Sequence, residues 1–278
     1  MAKNKLQTET LPLDIVNKFE NSNATVTELR TGIWAPIEKI SSKSITHLSF
    51  KENGNRRSVE TSWGRVVVKG CILTQTHRDL LDCIIEESTK GAQDAYGSVA
   101  LYFKQERVLK RYFGGGEGTN HKWLRSKLDE IQQASIEIRT IGTDDEYIDS
   151  SFNILAGYSF SSKEKAFFIK FSPEYRNYFE NNLSVTYGSE LDKLLRIKSP
   201  LIRSIVRFFW THEVGSHLKI PDLLKTIGYP IDSPRSVRTA KKDIKDNIDI
   251  LLEAGISESN GILNYNKKSF SNSISFIS

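Results

Sequence analysis

The chain has 278 residues, an apolar fraction of 38% and a charged fraction of 26%, which are typical of a globular protein with one large domain or two ordinary ones. No apolar run approaches the roughly 20 residues that span a bilayer, and the polar N-terminus has no signal-peptide core, so we expect a cytoplasmic protein. The net charge is +5, and residues 196–245 hold eleven Lys/Arg against four Asp/Glu, which favours a polyanionic partner.

The first part of the chain, residues 1–58, is polar and weakly periodic, and we interpret it as a less ordered N-terminal arm. Part of this arm is expected to pack on the folded body because it carries four large apolar side chains, Ile33, Trp34, Ile37 and Ile40. Residues 58–69 follow as a predicted strand with three consecutive valines.

Residues 59–180 have the order of elements of a winged helix, which is a helix-turn-helix followed by a β-hairpin. A helix capped by Thr74 or Thr76 comes first and carries apolar residues on one side. The other predicted elements are a strand at 98–103, a helix at 106–113, a turn with Gly114, Gly115, Gly116 and Gly118, a helix at 119–133, and β-stretches at 135–141, 151–159 and 166–171.

Residues 181–278 repeat this order. An apolar helix at 201–211 is followed by a strand at 217–220, a helix opened by Pro221, a stop at 228–230, a long helix at 233–254 ended by Gly255, a hairpin turn at Asn260-Gly261 and a final strand at 270–276. The sequence therefore predicts an α+β fold with two tandem winged-helix domains after the arm.

The long helix of the second domain has two faces. Val237, Ala240, Ile244, Ile248 and Leu251 form an apolar stripe at three- and four-residue spacing. Four cations lie on another face and suit the major groove, where Arg bonds bidentately to guanine, and Lys241 flanks them: Arg235, Arg238, Lys242 and Lys245. Ser233 and Ser236, near the helix N-terminus, are candidates for phosphate contact. A solvated basic face with no partner is the alternative interpretation.

The corresponding helix of the first domain is less basic. Its candidates for base-edge or phosphate contact are Thr119, Asn120, His121, Lys122 and Arg125. Cations on or beside the preceding helix are expected to contact phosphates, because that helix crosses the DNA backbone in a helix-turn-helix: Lys104, Arg107, Lys110 and Arg111.

Enzymatic signals are weak, and we predict neither catalysis nor a cofactor or metal. The glycine-rich turn follows a helix and lacks the Lys of a phosphate-binding loop. The five histidines do not form a His-x-His pair, and the acidic run at 144–146 is interpreted as a hairpin tip. Cys71 and Cys83 have no metal-ligand spacing, and a buried thiol is expected at Cys83.

Three segments resemble iteron-binding plasmid replication initiators. Residues 64–84 (GRVVVKGCILTQTHRDLLDCI) look like the start of that family's first winged helix, residues 120–136 (NHKWLRSKLDEIQQASI) are similar to its first recognition helix, and residues 199–255 resemble its second domain. The family positions that match recognition-helix residues here are Asn120, Lys122, Arg125, Arg235, Arg238 and Lys242.

The resemblance implies binding to double-stranded DNA at direct repeats of a plasmid origin and help in melting adjacent DNA. It also implies recruitment of the host initiator protein and the replicative helicase, repression of the protein's own promoter, and a shift between a homodimer and an active monomer. A winged-helix transcriptional repressor or regulator is the main alternative. A nuclease and a protein-interaction module are further alternatives.

Overall fold

The computed structural model describes residues 22–38, 40–61, 64–93, 97–114, 121–141, 147–231, 233–266 and 275–277. Within these ranges, no helix has the length and apolar character that crossing a membrane requires. The elements enclose two large apolar cores, one for each predicted domain.

The N-terminal part of the described chain is folded against both cores. Its elements are β1 (Ala24–Thr25), α1 (Val26–Arg30), α2 (Ile45–Glu52), β2 (Arg56–Thr61) and β3 (Gly64–Lys69). Ile33 and Trp34 are buried in the first core, and Ile37 and Ile40 pack on a small cluster around Ala35, so the expected packing of the arm is confirmed. Residues 1–21 of the predicted arm lie outside the described residues.

The single strand predicted at 58–69 was wrong, because β2 and β3 form an antiparallel hairpin with Val59 opposite Val66. β3 also pairs with a later strand at its other edge. A Cβ on Gly64 would lie 2.0 Å from the carbonyl oxygen of Arg139 on that strand, so the close approach of the two backbones requires glycine.

The first domain continues with α3 (Gln75–Glu87), β4 (Ser88–Gln93), β5 (Val99–Lys104), α4 (Gln105–Phe113), α5 (His121–Gln133), β6 (Ser135–Ile141), β7 (Tyr147–Asn153), β8 (Leu155–Ser161), β9 (Ala166–Phe171) and α6 (Pro173–Glu180). The stretch predicted at 151–159 is two strands in different sheets, separated at the fully buried Ile154. β4 was not predicted, since its sequence STKGAQ has no apolar alternation.

The wing of the first domain is identified by strand order. One sheet has the order β4-β5-β9-β8. In it β5, the strand that leads into α4, pairs with β9, the second strand of the β8–β9 hairpin. The β6–β7 hairpin lies in a separate sheet of order β2-β3-β6-β7. β8–β9 is therefore the wing, and β6–β7 is an insertion between the recognition helix and the wing.

The second domain contains β10 (Ser184–Thr186), α7 (Glu190–Arg196), α8 (Pro200–Trp210), β11 (His217–Lys219), α9 (Ile220–Thr226), α10 (Pro234–Asp246), α11 (Ile248–Glu253), β12 (Ile256–Ser259), β13 (Ile262–Tyr265) and β14 (Ser275–Ile277). Its sheet has the order β11-β13-β12, which repeats the β5-β9-β8 arrangement of the first domain. The wing turn is at Asn260-Gly261, as predicted, with both residues at positive φ.

One expectation for the second domain was wrong. The long helix predicted at 233–254 is interrupted at Asn247, whose side chain donates to the carbonyl of Asp243 and so competes with the helical hydrogen bonds. The end of the predicted final strand is present as β14, which pairs with β10 beside β1, and residues 270–274 of that predicted strand lie outside the described residues. The tandem winged-helix, α+β fold is confirmed.

Candidate nucleic-acid interface

The recognition helix of the second domain, α10, is held at its start and along one face. The Ser233 hydroxyl accepts a hydrogen bond from the backbone N–H of Ser236 at 3.2 Å, and Pro234 occupies the first turn. Ala240 and Ile244 are buried, which seats the helix on the second core. The hydroxyls of Ser233 and Ser236 also lie 2.9 Å apart, so the two candidate phosphate ligands are already paired with each other.

The opposite side of α10 is exposed and positively charged. The five predicted cations are all exposed: Arg235, Arg238, Lys241, Lys242 and Lys245. Lys242 has a weak contact of 3.9 Å with Asp246, while Asp243 points away and accepts a hydrogen bond from the Ser199 hydroxyl at 2.6 Å. The N-terminal half of α10 therefore presents cations without carboxylates among them.

The turn before α10 is held by an arginine that the sequence did not single out. Arg57 of β2 donates to the carbonyl of Gly32 and, at 2.6 Å, to the carbonyl of Gly228 in the α9–α10 turn. Burial lowers the pKa of Arg57 to about 10, which leaves it charged at neutral pH. The sequence does not single out Arg57 because the strand carries two adjacent arginines, Arg56 and Arg57, and only Arg57 is turned inward.

The first recognition helix, α5, exposes a smaller set of cations. His121, Lys122 and Arg125 are exposed, and Leu124 and Leu128 seat the opposite side in the first core. The Arg125 guanidinium lies 4.6 Å from the centre of the Phe160 ring on the wing, so wing and helix form one surface. Thr119 and Asn120 lie outside the described residues.

The start of α3 and the last turn of α5 are joined by a buried histidine. His77 Nε2 lies 2.9 Å from Glu130 Oε2, and its Nδ1 accepts the N–H of Thr74 at 2.9 Å, which identifies the neutral tautomer with the proton on Nε2. Burial lowers the pKa of His77. Partial burial raises the pKa of Glu130, but hydrogen bonds from His77 and Lys127 outweigh it and bring the pKa to about 2.

The four predicted phosphate-contacting cations differ in their surroundings. Arg107 and Lys110 are exposed on α4. Lys104 is half-buried, and its ammonium donates to the carbonyl of Glu164 at 2.8 Å. Arg111 forms ion pairs with Glu87 at 2.7 Å and Asp192 at 3.0 Å. Arg111 is therefore already paired with two carboxylates, and its contact with a phosphate stays a prediction.

The two domains are docked through a buried network of charges between α3 and α8. Arg207 lies 2.7 Å from Asp79 and 2.6 Å from Asp82. Asp82 also pairs with Arg78 at 2.8 Å, and Asp79 pairs with Arg203 at 3.0 Å. These side chains are at most 9% exposed. The network was missed, although two arginines within the otherwise apolar helix α8 are a sequence signal for buried pairing.

Together, these features define a class of molecule: a pair of docked winged-helix domains with exposed basic faces on both recognition helices. One solved structure supports this fold. The chain is similar to domains 2 and 3 of RctB, solved as selenomethionine derivatives, with a TM-score of 0.51 and 13% identity over 77% of this chain and 90% of that one. A second structure of RctB domains 2-3 gives a TM-score of 0.47 and 10% identity, covering 76% and 91%. No protein-family model and no curated protein matches the chain.

Proposed function

We propose that this protein binds duplex DNA sequence-specifically and acts as a plasmid replication initiator in the cytoplasm. In this proposal it binds direct repeats at the origin, opens adjacent DNA and recruits the host initiator protein and replicative helicase. It acts by binding, without catalysis or a cofactor. The likeness of its fold to the RctB domains and the resemblance of its sequence to iteron-binding initiators both support this assignment.

The exposed basic face of α10 is the observation that carries the proposal. Its cations lie on a helix whose other side is buried, so the helix can enter a major groove without unfolding. The same helix position in the first domain, α5, is also exposed and basic. The two recognition helices are fixed on one body, which suits two contact regions about one helical turn apart on the duplex.

Fluorescence anisotropy on short duplexes tiled across the DNA around the protein's own gene tests specific binding. One repeat-bearing duplex should bind at least about a thousandfold more tightly than its scrambled counterpart. Uniform weak binding to every duplex would contradict the proposal and favour a protein-interaction role.

Initiation is distinguished from repression by whether the DNA beside the bound site loses its base pairing. An initiator should bind direct repeats and make thymines in the adjacent region reactive to permanganate, because unpaired bases are exposed to the reagent. A repressor should bind, for example, a single palindrome at a promoter and leave all bases paired.

The dimer and monomer are distinguished by sedimentation of the protein with and without its repeat duplex.

A further inference from the structure

A basic depression lies where the first domain meets the segment that leads into the second. It has a volume of about 600 Å³, and cations from α4 and α7 line it. Arg107 and Lys110 come from α4, and Arg196 is the last residue of α7. All three are exposed, and within the described part of the chain none has a carboxylate within 4.0 Å.

The two carboxylates in the depression are already occupied. Glu87 and Asp192 both pair with the Arg111 guanidinium, at 2.7 and 3.0 Å. Arg111 therefore bridges α3 and α7 and removes the acids as partners for the other cations. The three remaining charges are available to an external anion.

Arg196 is fixed relative to both domains, although it lies in the connecting segment. Leu195, beside it, packs against both apolar cores. The Arg203 guanidinium donates to the carbonyls of Ile197 and Lys198, and it is itself paired with Asp79 of the first domain. These contacts fix the backbone of the connecting segment, so only the Arg196 side chain must be ordered when it binds a ligand.

The same segment leads directly to the second recognition helix. Ser199, three residues after Arg196, donates its hydroxyl to Asp243 of α10 at 2.6 Å. The exposed cations of α4 share the depression with Arg196, and the Ser199–Asp243 bond ties the segment that carries Arg196 to α10, on the side of that helix away from its cations. A duplex that contacts both recognition helices must extend from one domain to the other, and the connecting segment joins the same two domains.

We infer that the depression binds the sugar-phosphate backbone of the duplex between the two half-sites, a half-site being the stretch that one winged-helix domain contacts. Arg196 is a phosphate ligand from the connecting segment, and Arg107 and Lys110 hold neighbouring phosphates. This inference rests on the proposed function. The site couples the two domains through DNA that neither recognition helix touches, and it contributes affinity without base readout.

The test combines Arg196→Gln with duplexes whose phosphates between the half-sites are replaced by neutral methylphosphonates. On unmodified repeat DNA, Arg196→Gln should weaken binding roughly threefold to tenfold and reduce the salt slope by about one. The methylphosphonate duplex should weaken wild-type binding by a similar factor. Arg196→Gln should cause no further loss on that duplex, because its partner is already gone.

Lys193→Gln is the matched control, since Lys193 lies on the same helix but is paired with Glu190 at 3.1 Å. It should bind both duplexes as the wild type does. The inference is overturned if Arg196→Gln binds unmodified DNA as tightly as the wild type does. It is also overturned if the variant loses the same factor in affinity on both duplexes. If the wild type itself fails to distinguish repeat from scrambled DNA, the proposed function fails first, and the inference fails with it.

Discussion

Arg207→Met tests whether the buried charge network holds the two domains together. Arg207 is 1% exposed and lies within ion-pair distance of both Asp79 and Asp82. Methionine retains much of the aliphatic volume but leaves two buried carboxylates without that partner. Removing one member of a buried pair costs about 3–5 kcal/mol.

The remaining contacts place the effect at the lower end of this range. Asp82 keeps Arg78 at 2.8 Å, and Asp79 keeps Arg203 at 3.0 Å, so neither carboxylate is left alone. We therefore expect a loss of about 3 kcal/mol in the free energy of unfolding, or roughly 6–12 °C in Tm. Urea denaturation and calorimetry at neutral pH measure it.

Arg139→Met is the control, because the Arg139–Asp149 pair is also 2.7 Å long but both side chains are more than half exposed. Solvent screens this pair, so the variant should melt like the wild type. The reasoning is refuted if the two variants have the same stability.

The stability deficit of Arg207→Met should depend on pH, and this variant should also bind DNA differently. Burial raises the pKa of Asp82, and the two arginines oppose it; without Arg207 the pKa rises further. A proton on Asp82 relieves the unpaired charge, so the deficit relative to wild type should shrink as pH falls. DNA that carries both half-sites should bind the variant more weakly, while a duplex with one half-site should be unaffected, since only the docking of the domains is loosened.

The other predictions concern single contacts. Arg238→Ala should cost about 1–3 kcal/mol on the repeat duplex and much less on scrambled DNA, whereas Arg107→Ala should weaken both alike; an equal loss for Arg238→Ala would reassign it to a phosphate. Gly228→Ala should cost at least roughly 2 kcal/mol in urea denaturation, because its Cβ would lie 2.2 Å from the Arg57 guanidinium at a φ of +68°. Gly54→Ala, at +67° with nothing within 4 Å, should cost only the backbone strain of roughly 1 kcal/mol, and similar losses would argue against the clash. Because burial lowers the pKa of His77, the unfolded chain takes up a proton that the folded chain resists, so stability should fall as pH drops below the ordinary value of 6.5. In His77→Gln, Tm measured by thermal melting should fall less steeply as the pH drops below 6.5. An unchanged dependence of Tm on pH would assign the acid effect to other groups.

The recognition helices were predictable because their signals are local. In α10 the buried Ala240 and the exposed Arg238 are two residues apart, and the helical period alone assigns them to different faces. Caps and turns are equally local, so the starts of α3 and α10 and the wing turn at Asn260-Gly261 could be predicted. The charge of each exposed face follows from the same pattern.

Tertiary structure decided the features that depend on residues far apart in the chain. No local pattern shows that Ile154 divides two sheets or that β3 pairs with β6. The pairing of Arg207 with Asp79 and Asp82 joins positions more than 120 residues apart. The shared depression of Arg107 and Arg196 is likewise a property of packing. Sequence therefore determined which residues face outward on each helix, and tertiary contacts determined how those helices are arranged toward a common ligand, because sheet pairing and domain docking select partners through space.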